Sequence, residues 1–218
     1  MIAPINIAPP QLGVLGTGRM GVRLASMFAR AGRTVILGSR TADRAVAIAD
    51  ELGIPTLSGG SYADAMRAQA ILPAVFMRDG LFDQLEPFEA NLDDKLVIDI
   101  SNPFNDDYSD FLTPWDSSGA EELQKRFPRA RIVGAFKNVF WEVFDAPDFD
   151  GVVSDVLVVG DDDEAKLQFS KLSQDTPFRY LDAGALKNAR TVERLTMITG
   201  ALGRSLGTYP RMNWRLLG

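Results

Sequence analysis

The sequence predicts an α/β fold: a mostly parallel, doubly wound sheet with helices on both faces and a small C-terminal α/β extension. Three observations carry that expectation. From Gln11 onward, short aliphatic runs alternate with helix-length stretches, as strands joined by crossover helices do. The first such run, Leu12-Gly13-Val14-Leu15, leads straight into Gly16-Thr17-Gly18-Arg19-Met20-Gly21. Of the 218 residues, 46% are hydrophobic and 24% charged, the balance of a chain that buries an ordinary globular core.

Each glycine of the motif has a separate task. Gly16 permits a tight turn off the strand, Gly18 has no Cβ to keep the backbone from a diphosphate, and Gly21 lets helix and strand pack closely. The free N–H groups of the helix start then face the anion, and the helix dipole has the favourable sign. The expectation is a Rossmann-type domain in which Gly16, Thr17, Gly18, Arg19, Met20 and Gly21 bind a dinucleotide. Residues 1–10 read as an irregular leader, and residues 11–218 as one domain whose small C-terminal part begins at about 151.

The first helix spans about 19–31, where Met20, Leu24, Met27, Phe28 and Ala31 recur at three-and-four spacing and Gly32 ends it. Residues 34–37 form the second strand. A second helix, capped by Thr41 or Asp43, turns Ala45, Ile48, Ala49 and Leu52 inward and stops at Gly53. Pro55-Thr56-Leu57 reads as a short edge strand, and Ser58-Gly59-Gly60-Ser61 as a loop into a short helix through Met66. Residues 71–76 read as the fourth strand despite Pro73, 81–90 as a helix and 96–100 as a buried strand. A long connection rich in Asp, Ser and Pro fills 102–119, and loops of that length commonly carry function. A helix over 121–127 and a strand over 131–135 follow. The last third continues the alternation, with strands at 156–159 and 178–181 and helices at 162–172 and 186–202.

Composition excludes several chemistries. The chain has no cysteine and no histidine, which removes disulfides, thiolate nucleophiles, Ser-His triads and most zinc sites. The acidic run from Asp161 to Glu164 complements a helix dipole, so no metal is expected. A net charge of −6 argues against a nucleic-acid partner. The start of the chain lacks the basic region of a signal peptide, and no stretch nears about 18 continuous apolar residues. The expectation is a cytoplasmic protein with no membrane partner.

In open α/β sheets, ligands lie beyond the carboxyl ends of the strands. The second turn, Gly38-Ser39-Arg40, has no carboxylate before Asp43. A carboxylate would bind the ribose hydroxyls of NAD and repel a 2′-phosphate, whereas a hydroxyl and a guanidinium accept that phosphate. Ser39 and Arg40 therefore predict NADP(H). The turns Phe76-Met77-Arg78 and Ser101-Asn102-Pro103 should flank the nicotinamide and its ribose. Phe76, Met77, Ser101, Asn102, Pro103 and Ala135 thus join the cofactor-binding set. Lys137 and Asn138, polar residues at a strand end, are the candidate catalytic groups. Core packing is the default account of Phe76, Phe136 and Phe140 as aromatics.

With these turns in view, the chain resembles the small NADP-dependent oxidoreductases typified by the NADPH-dependent reductases of the deazaflavin coenzyme F420. More distantly, it resembles the oxidoreductase domain of the STEAP metalloreductases. The matching stretches are Gly13 to Gly18, Leu37-Gly38-Ser39-Arg40, Ile98-Asp99-Ile100-Ser101-Asn102-Pro103 and Val133-Gly134-Ala135-Phe136. Asp182 to Leu186 with Ala189, Arg190 and Glu193, and the closing Trp214-Arg215-Leu216-Leu217, fit as well. The resemblance implies a homodimer of Rossmann-type domains that transfers a hydride between NADPH and a flavin or deazaflavin acceptor at the same strand ends. It also implies that Thr17, Ser39 and Arg40 hold the NADP end. Two departures fall where the second substrate would sit. The family has Ala-Phe-Asn where this chain has Ala135-Phe136-Lys137, and Phe76 stands where a proline is usual.

Ring-to-ring hydride transfer needs stacked rings about 3–3.5 Å apart and no protein acid, which suits a chain without histidine. Two alternatives stay open. One is an NADPH-dependent reductase of another small acceptor, an imine or carbonyl, with Lys137 or Tyr108 as proton donor. The other is a non-catalytic NADP-binding sensor or partner subunit. The acidic side chain of the deazaflavin coenzyme would need a basic rim, for which Arg19, Arg23, Arg78 and Lys137 are the contributors.

Overall fold

The computed structural model describes residues 9–217. The leader expected over 1–10 lies outside the described residues through position 8. Pro10 already belongs to the fold, since its carbonyl accepts from the Gln69 amide at 2.9 Å.

Six parallel strands form the main sheet. In chain order the elements are β1 (Leu12–Leu15), α1 (Arg19–Arg30), β2 (Val35–Ser39), α2 (Ala42–Leu52), β3 (Leu57–Ser61), α3 (Tyr62–Ala65) and β4 (Ala70–Pro73). They continue with α4 (Leu81–Leu85), α5 (Glu89–Leu92), β5 (Leu96–Asp99), α6 (Gly119–Arg126) and β6 (Arg131–Gly134). The strand order is β3-β2-β1-β4-β5-β6, so it reverses between β1 and β4 and opens a crevice at their carboxyl ends. The strands read as unbroken apolar runs because both faces are covered. Leu12, Val14, Leu37, Leu72 and Ile98 face the core under α1 and α2, while Leu15, Ile36, Ile71 and Val97 face the opposite core under α3, α4 and α6. The doubly wound α/β expectation is borne out.

Three local expectations are corrected. The stretch 58–61, expected as a loop, is most of the edge strand β3, paired with β2 from Leu57 opposite Val35 to Ser61 opposite Ser39. Its glycines are there for packing: a Cβ on Gly59 would lie 2.2 Å from the Ala45 carbonyl of α2. The fourth strand stops at Pro73 rather than Phe76. Pro73 is opposite Leu15 of β1, but the ladder to β5 has already ended at Ile71, so no amide is missed on that side. The helix expected over 81–90 is split into α4 and α5 by a 3-10 turn at Glu86–Phe88, where Pro87 removes an amide and crowds the preceding turn.

The C-terminal part stands beside the main sheet. A hairpin of β7 (Asp148–Phe149) and β8 (Val152–Val153), unanticipated from the sequence, turns through Asp150 and Gly151, both at positive φ. Then β9 (Asp155–Val158), α7 (Asp163–Leu172) and β10 (Arg179–Asp182) make a parallel two-stranded unit. It is joined to β6 by paired hydrogen bonds between Gly134 and Val159, at 2.8 and 2.9 Å. The last helix, α8 (Ala189–Leu206), begins after a 3-10 turn at Leu186–Asn188. Asp155 ties down the chain end, accepting from Arg179 through both oxygens and from the Leu216 amide at 2.7 Å.

Because Gly59 allows α2 to rest on β3, Gly59→Ala is expected to cost about 1–3 kcal/mol through forced separation of the two. The check is the urea unfolding midpoint. An unchanged midpoint would mean that α2 does not seat on β3 as described.

Candidate functional site

An open cavity of about 1460 Å³ crosses the carboxyl ends of the strands, where the order reverses. The glycine loop forms its floor. Gly16 has φ +112°, a region few side chains adopt, and a Cβ on Gly21 would lie 2.0 Å from the Gly16 carbonyl. Gly21 thus packs behind the loop instead of on the cavity. Gly18 caps α1 with no side-chain hydrogen bond, and a Cβ there would meet nothing within 4 Å. Thr17, Arg19 and Met20 join Gly16 and Gly18 on the wall. Free amides at an uncapped helix start, with no acidic side chain in the first turn, fit a diphosphate.

At the end of β2, Ser39 is buried and accepts from the Thr41 amide, and Arg40 lies at the cavity edge. Arg44, one turn along α2, lines the same wall and was missed from the sequence. Its signal was there: residues four apart on a helix share a face. Neither guanidinium has an ion-pair partner among the described residues, so both are free for a 2′-phosphate. Tyr62 closes this end, donating to Gln84 at 3.1 Å. Burial raises its phenol pKa against the opposing charge of Arg40.

The other strand ends separate into wall and support. Phe76, Ser101 and Asn102 line the cavity. Met77 and Pro103 instead pack behind it, against Gly119 at the start of α6, and Ala135 is fully buried. Tyr108 reaches the wall from the long loop. The guanidinium of Arg78 lies between the rings of Phe76 and Tyr108, 4.6 and 4.1 Å from their centroids, and donates to the Tyr108 hydroxyl and the Asn105 carbonyl.

Lys137 and Asn138, the candidate catalytic groups, are not on the wall. The preceding Phe136 takes φ +57° and is held there by Phe28, Phe144, Phe169, Phe178 and Tyr180, with ring centroids 5.7–6.1 Å away. That turn sends Lys137 inward, where its side chain is wholly buried. Its Nζ lies 2.6 Å from Asp99 and 2.9 Å from Glu193, and donates to the Ser101 carbonyl. An ammonium has three N–H groups, and three acceptors surround this one. Burial works to lower its pKa, but the charges of Asp99 and Glu193 prevail and hold it above the usual lysine range. Burial raises the Glu193 pKa, and the facing Asp99 adds to that, while Lys137 opposes it. Lys137 is therefore a tether, with no proton to offer a ligand. Asn138 donates to the Asp155 carbonyl and accepts from the Leu157 amide, fixing β9.

The remaining wall comes from the chain's last third. Thr196, Met197, Gly200, Ala201 and Arg204 of α8 line the cavity together with Phe140, Trp141 and Tyr209, Gly200 lying against Phe140 and Arg204 against Tyr209. Sequence reasoning missed most of these residues because only the tertiary return of α8 brings them to the strand ends. Arg23 is paired with Asp145 at 2.7 Å, leaving Arg19 stacked over Trp141 at 4.2 Å.

Known proteins are similar to the chain over most of its length. A family model described as NADP oxidoreductase, coenzyme F420-dependent, matches residues 11–103. The chain is 30% identical over 214 residues to the F420-dependent NADP reductase of Methanocaldococcus jannaschii, covering 90% of this chain and 95% of that protein. It is 29% identical over 196 residues to the metalloreductase STEAP3 of Rattus norvegicus, of which it spans only 38%. A crystal structure of a putative F420-dependent NADP reductase from Arthrobacter superposes with TM-score 0.84 at 23% identity, over 96% of this chain and all of that one. A reductive aminase from Aspergillus terreus superposes with TM-score 0.58 at 19% identity, over 92% of this chain and 63% of that one, a likeness of fold alone.

Lys137→Met leaves two buried carboxylates without the cation they share and is expected to cost about 3–5 kcal/mol at neutral pH. Glu193 has its native pKa above the unfolded one, so its contribution weakens as pH rises through that interval and recovers on acidification. The variant's deficit should therefore shrink on acidification from neutral pH in urea unfolding. A deficit independent of pH would refute the charged cluster.

Proposed function

The chain belongs to the family of coenzyme F420-dependent NADP oxidoreductases, and from that premise we propose that it transfers a hydride between NADP(H) and a deazaflavin bound in the same cavity. It is an NADP-dependent oxidoreductase. The observation that carries the two-ligand reading is the cavity itself. At about 1460 Å³ it exceeds the ~300–1,000 Å³ usual for one small-molecule ligand. Its two ends also differ in chemistry, guanidinium and backbone amide at one and aromatic at the other.

Each wall has a part to play. The amides of Gly16 to Met20 and the start of α1 would hold the diphosphate. Ser39, Arg40 and Arg44 would hold the 2′-phosphate. Phe76, Ser101 and Asn102 would fix the nicotinamide end against the face that α8 presents. When bound, the nicotinamide supplies the hydride chemistry. The protein's share is alignment and exclusion of water, which Phe140, Trp141 and Tyr209 provide on the acceptor side. An imine or carbonyl reductase would need a proton donor. Lys137, the strand-end candidate for that role, is wholly buried and off the wall, which supports the ring-to-ring reading.

The proposal extends to setting. Ile198, Leu202 and Leu206 expose an apolar stripe on α8, which supports a homodimer. The net charge of −6 supports the absence of a nucleic-acid partner. Among the described residues no helix is long and apolar enough to cross a membrane, which is compatible with a cytoplasmic enzyme.

If Arg40 and Arg44 grip the 2′-phosphate, each Arg→Ala variant is expected to raise the NADPH Michaelis constant about 10- to 100-fold, as lost charge-assisted hydrogen bonds do. NADH, lacking the phosphate, is the comparison. Steady-state oxidation with a deazaflavin, a flavin and an imine as acceptors measures both points. Equal losses for the two cofactors would refute the phosphate assignment, and turnover with the imine alone would refute the acceptor class.

A further inference from the structure

Among the described residues the cavity wall has four arginines, Arg19, Arg40, Arg44 and Arg204, against one carboxylate, Asp79. That local excess is unexpected in a chain of net charge −6. None of the four guanidiniums has a carboxylate within ion-pair distance among the described residues. Arg40 and Arg44 answer to a 2′-phosphate. Arg19 opens α1 beside the diphosphate site, with its guanidinium over Trp141 at 4.2 Å, at the near edge of the aromatic wall. Arg204 suits the dipole at the end of α8, but no anion of the dinucleotide or of the described residues answers its place on the cavity wall. It projects from the last turn of α8 at the aromatic end, stacked over Tyr209 at 5.3 Å. Tyr209 in turn meets Trp141 edge-on at 5.6 Å and Phe140 at 5.8 Å. The other basic side chains expected near this end are spent. Arg23 is held by Asp145, Arg78 by the long loop and Lys137 by Asp99 and Glu193.

We infer that Arg204 recognises an anionic side chain on the acceptor, so that the enzyme discriminates among deazaflavins by the charge they carry away from the ring. The inference rests on the deazaflavin reading above. The carbonyls of a neutral three-ring system offer a guanidinium only uncharged acceptors, whereas a phosphodiester or carboxylate beyond the ring offers the charge-assisted pair that suits it. Stacking on Tyr209 leaves the N–H edge of Arg204 free and restricts its rotamers, so less freedom is lost when an anion binds. At the same position lysine would bring the charge without the planar fork.

The test compares two acceptors with one ring system: the deazaflavin coenzyme, whose side chain is anionic, and the same ring with a neutral ribityl chain. Their kcat/KM values with saturating NADPH are measured for the wild type, Arg204→Ala and Arg204→Lys across a range of salt. The expected wild-type preference for the anionic acceptor is at least about tenfold, falling as salt rises. In Arg204→Ala the preference should collapse toward about unity through the KM of the anionic acceptor, and Arg204→Lys should restore part of it. Equal use of both acceptors by the wild type, or equal losses on both in Arg204→Ala, would overturn the inference while leaving the deazaflavin reading intact. Turnover of neither ring would overturn that reading and this inference with it.

Discussion

The buried contact between Lys137, Asp99 and Glu193 is the constraint on which the nicotinamide end of the cavity depends. Its three charges come from the end of β5, the turn after β6 and the second turn of α8, elements far apart in sequence. Glu193 also accepts from the first amides of α6, at 2.9 Å from Gly119 and 3.2 Å from Ala120. The Lys137 carbonyl holds the side chains of Asn102 and Thr196, at 2.8 and 2.7 Å. Two wall residues from different elements are thus registered on one backbone oxygen. Such a cluster gains little net stability over an apolar core, but its loss would leave unpaired charge. Position is what it secures.

The two ends of the cavity are built on different scales. The NADP end is local: a glycine loop, the strand end after it and one turn of helix supply nearly everything. The acceptor end is tertiary, assembled from a turn after β6, the helix that returns across the strand ends and the segment beyond it. The outlying β9–α7–β10 unit anchors that return through Asn138 and Asp155. Divergence of acceptor between relatives can therefore proceed at the second end without disturbing the first.

The same division explains what the sequence disclosed. β1, β5 and the glycine loop were legible because buried parallel strands are unbroken apolar runs and the loop chemistry is spaced along the chain. Ser39 and Arg40 were legible for the same reason, and Arg44 would have been, by helical spacing. β3 was not, because its glycines are chosen by the backbone of α2 pressed against them, a contact invisible in one dimension. Lys137 looked exposed because a polar residue at a strand end usually is. The positive φ of Phe136, enforced by five aromatic neighbours from distant segments, reversed that. Thr196 and Arg204 carried no local signal at all, since helical periodicity says which residues share a face and not what that face meets.

The open start of α1 has a consequence for the life of the protein. Gly18 offers no side chain to close the helix, the first turn holds no acid, and its first residue is an arginine. The helix is built with its cap missing, and the dinucleotide is the missing piece. Occupancy and folding are then one linked equilibrium. At a free cofactor concentration 100 times the dissociation constant, the bound ligand adds about 2.7 kcal/mol to the stability of the native state. The amount of this enzyme that survives in a cell is in that sense a readout of the nicotinamide nucleotide pool it draws on.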